Sequence, residues 1–323
     1  MRGLVALVSF ACCIFCAAAN AQSDTYPNKP VRVVVGFAPG GAADYVARAM
    51  SEAFAKALGQ PVVIDNKPGA GSSIAAEFVA KSSGDDYTLL IASPSSISVN
   101  PALNPNLGYT PRDLLPVTRI TTSPLVMAVN AGMPIQSLAD LIAAAKKEPG
   151  KLNYSTSGNG SAPHLAMALF NQLTGTQMTH VPYKGGAPAI QSVIAGDTQL
   201  TFGTSPSVLP HAKGGKLRML AVSTRDGSPL VPGLPGMKEA GLPEYNLEFW
   251  YGMFAPAGTP VAIVKKIFDA TVAAMQQPAV KAALAREGTE VSLSASAEQF
   301  ASDLAEDGKF WAQLVKTANV KIE

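Results

Sequence analysis

The feature that most constrains the fold of this chain is a repeated alternation of short apolar runs with longer amphipathic segments. Residues 31–37 are a β-branched apolar run that predicts a buried strand, and residues 42–58 place their apolar side chains on one helical face. The pair Gly40-Gly41 separates them, and the same unit recurs over residues 61–92. Strands that alternate with amphipathic helices form parallel sheets covered by helices. The sequence therefore predicts an α/β protein.

The first 21 residues have the features of a secretory signal peptide. Arg2 precedes an apolar run over residues 4–19, and Ala19-Asn20-Ala21 matches an A-x-A cleavage site. All three cysteines, at positions 12, 13 and 16, lie inside this segment, so the mature chain would contain no disulfide. A lipoprotein anchor is the alternative, but residues 8–11 fit a lipobox poorly. We therefore expect export to the periplasm and a soluble mature protein.

Length and chain order predict two lobes. Removing 21 of the 323 residues leaves 302, which corresponds to two domains at roughly 150 residues each. Extended stretches near Ser123 and Glu248 would cross between them. We expect lobe I at residues 22–123 and 249–323, and lobe II at residues 124–248. Two lobes that are joined by two crossover strands form a hinge that closes around a ligand.

Three glycine- and serine-rich loops follow predicted strands and precede predicted helices. They contain Gly40-Gly41, residues 155–161 and residues 184–187. Open α/β sheets bind ligands at this edge, where helix N-termini present unpaired N–H groups. Because glycine lets the backbone approach a ligand closely, a carboxylate can bind there without an arginine. A tight turn without a ligand is the alternative for each glycine pair taken alone. Three such loops at equivalent positions favour binding.

Other kinds of site lack the residues that they require. Pro163 stands where a dinucleotide fingerprint after Gly158 would need its third glycine, and residues 36–41 lack the Lys-Ser/Thr of a P-loop. The three histidines are scattered and the mature chain has no cysteine, so we expect neither a metal nor another cofactor. The formal charge is +2, or +1 (24 − 23) without Arg2, and no basic block is present. This composition argues against nucleic acid as a partner.

A serine hydrolase is the enzymatic alternative. Ser157 or Ser161 would be the nucleophile and His164 the base. The chain has no Gly-x-Ser-x-Gly motif, and a serine three residues before a histidine typically caps a helix. Asp44 either complements the dipole of the first helix or points into the cleft. Four aromatic side chains at strand ends are candidates for apolar walls of the cleft, with core packing as the alternative: Phe37, Tyr183, Phe202 and Trp250.

Six segments of the chain match one family pattern. They are residues 26–41 with Asp44 and Arg48, residues 66–71, residues 87–90, residues 153–161 with His164-Leu165, residues 180–185 with Ala187-Pro188, and residues 255–260. Together, over essentially the whole mature chain, they resemble the Bug (TctC-type) substrate-binding receptors of tripartite tricarboxylate transporters. Three smaller departures affect surface contacts more than the ligand site: residues 84–86 replace a Pro-Asp-Gly turn, Ser72 replaces a glycine, and residues 232–236 replace a Pro-Asp-Val-Pro-Thr segment.

This resemblance implies a type II periplasmic binding-protein fold without catalytic activity. Its lobes would trap a small carboxylate and deliver it to a permease of one large and one small membrane subunit. A receptor that feeds a sensor is the alternative role, and we expect a monomer. Pro39, Gly160 and Phe202 are added to the expected site from the analysis of the loops and strand ends above, and the resemblance does not imply them. The expected ligand-binding residues are Ala38, Pro39, Gly40, Gly41, Asp44, Ser93, Ser157, Asn159, Gly160, Ser161, His164, Lys184, Gly185, Gly186 and Phe202.

Overall fold

The computed structural model describes residues 26–82, 84 and 86–317, so the predicted signal peptide lies outside the described residues. Within these ranges no helix combines the length and the apolar character of a membrane span. The strands are β1 (Val31–Val35), β2 (Val62–Asn66), β3 (Thr88–Ala92), β4 (Leu114–Asn130), β5 (Asn153–Thr156), β6 (Thr179–Pro182), β7 (Leu200–Thr204), β8 (Leu217–Val222), β9 (Glu248–Pro256) and β10 (Glu290–Val291). The helices are α1 (Ala42–Leu58), α2 (Ser73–Ala80), α3 (Asn100–Leu103), α4 (Leu138–Lys147), α5 (Ala162–Thr174), α6 (Gly186–Ala195), α7 (Ser205–Lys213), α8 (Val261–Met275), α9 (Pro278–Arg286) and α10 (Ala297–Thr317).

The strands form two parallel groups that share a long central strand. In the first group, β1 pairs in parallel with β2 and β3, and β9 runs antiparallel beside β3. In the second group, β5 pairs in parallel with β6 and β7. Strand β4 pairs with β9 over Leu114 to Pro124, and with β7 and β8 over Leu125 to Asn130. The α/β class and the two-lobe design predicted from the sequence are therefore confirmed.

The two passages between the lobes are tied together by one buried serine. Strand β4 crosses at Pro124-Leu125, and the chain returns at Leu247 before β9 begins. Ser223 is fully buried, and its hydroxyl accepts from the Leu125 N–H at 2.8 Å and donates to the Leu247 carbonyl at 2.6 Å. A single side chain thus couples both crossovers. The lobe boundaries given above stay a prediction.

Helix α1 shows how the sequence builds the site from the first lobe. Val46, Met50 and Phe54 recur every four residues and are buried, which packs one face of the helix onto the core. Gly59 ends the helix in the left-handed conformation with φ 73°. The helix starts directly after Gly41, so its first turn lies at the carboxyl end of β1. This is the sheet edge at which a ligand site is expected.

The C-terminal helix α10 packs against the first group of strands through Phe300, Trp311 and Leu314, which are buried. A buried carboxylate holds it in place. Asp307 accepts hydrogen bonds from the indole N–H groups of Trp250 and Trp311 and from the hydroxyl of Ser98. Burial raises the pKa of Asp307 above its ordinary value, although these hydrogen bonds act in the opposite direction. Trp250, which was a candidate for a cleft wall, therefore belongs to this helix contact.

Candidate functional site

A cavity lies between the two lobes. Its empty volume is about 450 Å³, which includes space that opens to solvent. None of the described residues that line it has a charged side chain. The first lobe contributes Phe37, Ala42, Ala43, Ser95, Phe249 and Tyr251, and the second contributes Ser157, Pro163, Gly186, Ala189, Ile190, Thr201, Gly203, Thr204 and Ser207.

Two helix N-termini from opposite lobes meet at this cavity. No side chain caps α1 or α6, and the N–H groups of Ala42, Ala43, Gly186 and Ala187 have no partner among the described residues. A Cβ placed on Gly41 would lie 3.5 Å from the Ala187 nitrogen and 3.6 Å from the Gly186 nitrogen. Unpaired N–H groups and positive dipole ends make such a place suited to an anion.

The loop in front of α1 is held by a network on its outer side. Gly40 has φ 81°, a conformation that suits glycine, and its N–H donates to Asp44 Oδ2 at 3.0 Å. The Arg48 guanidinium lies 2.9 Å from the same carboxylate, and the Asn66 amide donates to the Phe37 carbonyl at 3.0 Å. Burial raises the pKa of Asp44, but the hydrogen bonds and charge of Arg48 and the Gly40 N–H together lower it below its ordinary value.

Asp44 is therefore paired, ionised and directed at its own loop. Of the two interpretations of Asp44 from the sequence, the geometry supports a role at the start of the helix. It acts as a positioning residue for the glycine loop.

The lobes are in direct contact on both sides of the cavity. The Ala38 N–H of lobe I donates to the Lys184 carbonyl of lobe II at 3.0 Å. On the other side, the Ala162 N–H at the start of α5 donates to Ser95 Oγ at 3.0 Å. A Cβ on Gly71 would lie only 2.6 Å from the Asn159 carbonyl oxygen. The structure thus represents a closed arrangement, which limits access of water to the cavity.

The serine-rich loop after β5 rests on a stack of two histidine rings. The rings of His164 and His180 are 3.8 Å apart and nearly parallel, at 11°. The Gly160 N–H donates to His164 Nδ1 at 3.3 Å, and His180 Nε2 lies 2.6 Å from Thr156 Oγ1. Burial lowers the pKa of His164 to about 4. Burial and the neighbouring His164 lower the pKa of His180 to about 3. Both rings are neutral at pH 7.

Three serine hydroxyls of the first lobe are buried without a hydrogen-bond partner among the described residues. They belong to Ser72, which follows β2, and to Ser93 and Ser96, which follow β3. Ser72 lies against Gly36, where an added Cβ would come within 1.8 Å of its Oγ. Buried hydroxyls of this kind are commonly satisfied by ordered water. A direct ligand contact at Ser93 stays a prediction.

The predicted site residues occupy several different positions. Ser157 and Gly186 line the cavity, and Gly41 stands beside its unpaired N–H groups. The side chain of Lys184 is exposed, and its carbonyl and Gly185 contact Ala38. Pro39 and Gly40 are exposed at the rim, whereas Asn159, Gly160, Ser161 and His164 form and support the serine-rich loop.

Phe202 does not lie in the cavity. The sequence analysis placed it at a strand end, but β7 continues to Thr204. Phe202 therefore lies inside the strand with its side chain fully buried, 5.7 Å from the ring of Tyr245. Its neighbours Thr201 and Gly203 point to the other face and line the cavity. Phe202 is removed from the site for this reason.

One of the cavity-lining residues that sequence reasoning missed comes from an unpredicted helix. Helix α7 begins after Thr204, and Ser207 in its first turn lines the cavity. Pro206 and Pro210 conceal its periodicity, yet Thr204 followed by a proline in the first turn is a recognised helix start. Tyr251 was missed because its position depends on the pairing of β9 with β4.

Among the described residues, no group of three or more His, Cys, Asp or Glu side chains could hold a metal ion. The donors at the cavity are backbone N–H groups and hydroxyls, which match an anion or a polar neutral group.

Comparison with known proteins agrees with this architecture. Residues 46–320 match the family model described as tripartite tricarboxylate transporter family receptor. The chain is similar to Protein BugT of Bordetella pertussis, with 34% identity over 325 residues, 100% of this chain and 99% of that protein.

Two solved structures from Rhodopseudomonas palustris are similar over nearly their whole lengths. One, solved with adipate, has 34% identity and a TM-score of 0.87, covering 92% of this chain and 99% of that one. The other, MatC with bound malate, has 32% identity and a TM-score of 0.85, covering 90% of this chain and 100% of that one. The predicted type II periplasmic binding-protein fold is confirmed. The chain belongs to the tripartite tricarboxylate transporter receptor family.

Proposed function

We propose that this protein is an exported receptor that binds a small carboxylate between its two lobes. One observation carries the proposal: the uncapped N-termini of α1 and α6 meet across a cavity that no described charged side chain lines. The similar structures with bound adipate and malate support a carboxylate as the ligand.

The N–H groups can supply enough binding energy for one carboxylate. A hydrogen bond to a charged group contributes about 1.5–3 kcal/mol, so two to four such bonds offset a desolvation cost of several kcal/mol. Backbone donors at helix ends lose no side-chain entropy when the ligand binds. The closed lobes exclude water, which strengthens these interactions further.

Calorimetry and thermal unfolding with a panel of mono-, di- and tricarboxylates test the binding. A carboxylate present at 100 times its Kd is expected to stabilise the protein by about 2.7 kcal/mol. Uncharged amides of the same length serve as controls and should have no effect. A panel in which no carboxylate changes either signal would contradict the proposal.

The second part of the proposal concerns location and partners. A signal peptide that is removed near Gln22 would place the receptor in the periplasm, where it would deliver its ligand as a monomer to a transporter of one large and one small membrane subunit. Family membership supports this role. The intact mass of the protein from the periplasmic fraction tests the cleavage. Co-purification of the liganded receptor with membrane proteins tests the partner, and recovery of a sensor in place of a permease would contradict the transport role.

The receptor is proposed to have no catalytic activity. Ser161 Oγ accepts from the His164 N–H at 3.3 Å, as a helix cap does. His164 Nδ1 accepts from Gly160, and its ring face is covered by His180, so no described serine hydroxyl bonds to it. A serine-directed phosphonate is expected to leave the protein unmodified. Covalent labelling of a serine in the loop after β5 would favour the hydrolase alternative.

A further inference from the structure

A group of hydroxyl side chains lines one part of the cavity. We call this group the hydroxyl floor; it consists of Thr201, Thr204, Ser207 and Tyr251. Two protons of this group are still free to donate, one from the Thr204–Ser207 pair and one from Tyr251. Thr201 donates to the Ser155 carbonyl at 2.9 Å. Thr204 Oγ1 and Ser207 Oγ are 3.1 Å apart, so one proton joins the pair and the other has no acceptor among the described residues.

Tyr251 adds a second free donor to this floor. It is 5% exposed, and its phenol hydroxyl has no hydrogen-bond partner in the described part of the chain. Its ring packs edge-to-face on Phe249, with centroids 4.9 Å apart. Burial raises the pKa of Tyr251 above its ordinary value, so the phenol stays protonated. A buried hydroxyl without a partner is costly unless a ligand or water satisfies it.

The floor adjoins the place where the proposed carboxylate binds. A Cβ on Gly186 would lie 2.7 Å from Ser207 Oγ, so the first turn of α7 touches the N-terminus of α6. Ser207 therefore lies beside the proposed carboxylate position, and Thr204, whose Oγ1 is 3.1 Å from Ser207 Oγ, and Tyr251 line the same cavity within reach of the rest of the ligand. Ile190 and Phe249 also line the cavity and give it apolar surface.

The charges around the cavity favour a neutral group at that other end. The ionised pair of Asp44 and Arg48 does not line the cavity, and the His164–His180 stack is neutral at pH 7. The two carboxylates of one ligand, about 6 Å apart, already repel each other in water, and the increase in this repulsion between a dielectric constant of about 80 and one of about 20 would weaken binding on the order of thirtyfold. The partial positive charge at the uncapped N-terminus of α7 would recover affinity for the second carboxylate on the order of tenfold. Repulsion is therefore the larger effect, even before desolvation.

We infer that the ligand of this receptor carries one carboxylate and, at its far end, an uncharged hydrogen-bonding group that Tyr251, Thr204 and Ser207 select. This inference rests on the proposed function, because it assumes that the first carboxylate binds at α1 and α6. It names hydroxy acids, in place of dicarboxylates, as the preferred class.

Two matched series of ligands test the inference by calorimetry. The first contains butyrate, 4-hydroxybutyrate and succinate, and the second contains hexanoate, 6-hydroxyhexanoate and adipate. In at least one series, the hydroxy acid should bind about tenfold more tightly than both the unsubstituted acid and the dicarboxylate. Tyr251→Phe keeps the ring and removes the hydroxyl, and should reduce the preference for the hydroxy acid over the unsubstituted acid about tenfold.

Tyr245→Phe is the matched control. Tyr245 is fully buried, donates to the Ala166 carbonyl at 2.9 Å and does not line the cavity. Removal of its hydroxyl should therefore leave the preference for the hydroxy acid unchanged. If the hydroxy acid is the tightest ligand in neither series, or if Tyr251→Phe leaves its preference unaltered, the inference is overturned and carboxylate binding stands. Failure of all six acids to bind would overturn both proposals.

Discussion

A single methyl group at Gly41 should abolish most carboxylate binding without unfolding the protein. Gly41 has φ −87° and ψ 176°, which alanine adopts without strain. The added Cβ would lie 3.5 Å from the Ala187 nitrogen and 3.6 Å from both the Gly186 nitrogen and the Ala38 oxygen, all ordinary contacts. A carboxylate oxygen must come within about 2.8 Å of such a nitrogen to accept its hydrogen bond. The methyl group and the ligand therefore compete for the same space.

The expected magnitudes separate binding from stability. Loss of two hydrogen bonds to a carboxylate costs about 3 kcal/mol or more, which raises Kd at least about 100-fold. Alanine is a poorer N-cap than glycine by up to about 1 kcal/mol, and the stiffer unfolded chain offsets about 0.4–1 kcal/mol of this. The net change in the free energy of unfolding should thus stay within about 1 kcal/mol.

Calorimetric Kd values and urea unfolding without ligand measure the two quantities. Gly308→Ala is the control, because Gly308 lies in helix α10 with nothing within 4 Å of an added Cβ. It should bind the ligand as the unmodified protein does. If Gly41→Ala folds and its Kd stays within threefold of the unmodified protein, the carboxylate does not bind at these N–H groups.

Three further variants or conditions test other parts of the structure. The folded-state pKa of His164, about 4, lies below its unfolded value of about 6.5, so the stability from this residue is present above pH 6.5 and lost as the pH falls toward 4. Urea unfolding should show a loss of about 3 kcal/mol from this residue over that range, to which His180 adds because its pKa is lowered in the same direction, and His164→Gln should reduce the total loss. Ser95→Ala leaves the Ala162 N–H without its acceptor and should weaken closure by about 1–3 kcal/mol, visible as a larger radius in X-ray scattering and a raised Kd. Asp307→Ala removes the acceptor of three buried donors and should lower the free energy of unfolding by about 3 kcal/mol, with ligand Kd unchanged.

Local patterns predicted the first strand and helix of the chain well. The strand–glycine–helix unit around Gly41 is present, with a strand at Val31–Val35 and a helix at Ala42–Leu58. These features depend on residues within one or two turns of each other, so the chain's local preferences decide them.

Features that depend on distant pairing were not predictable in the same way. Tyr251 reaches the cavity floor because β9 pairs antiparallel with β4 through two register shifts, and no local pattern contains that register. Helix α7 was missed because Pro206 and Pro210 interrupt the usual helical signal, although proline is tolerated in the first turn. The predicted position of Phe202 was wrong because β7 continues two residues beyond it, to Thr204. Its side chain therefore lies in the core and not at the cavity.

A site that binds an anion without a cationic side chain needs donors that are fixed before the ligand arrives. Backbone N–H groups meet this need only if their loop is held still, and the loop before α1 contains Gly40, which is intrinsically mobile. Asp44 supplies the restraint, since it accepts from the Gly40 N–H while Arg48 compensates its charge. The carboxylate of Asp44 therefore favours anion binding from outside the cavity. Without it, Gly40 and Gly41 would become ordered only when the ligand binds, and the free energy of ordering them would lower the ligand affinity.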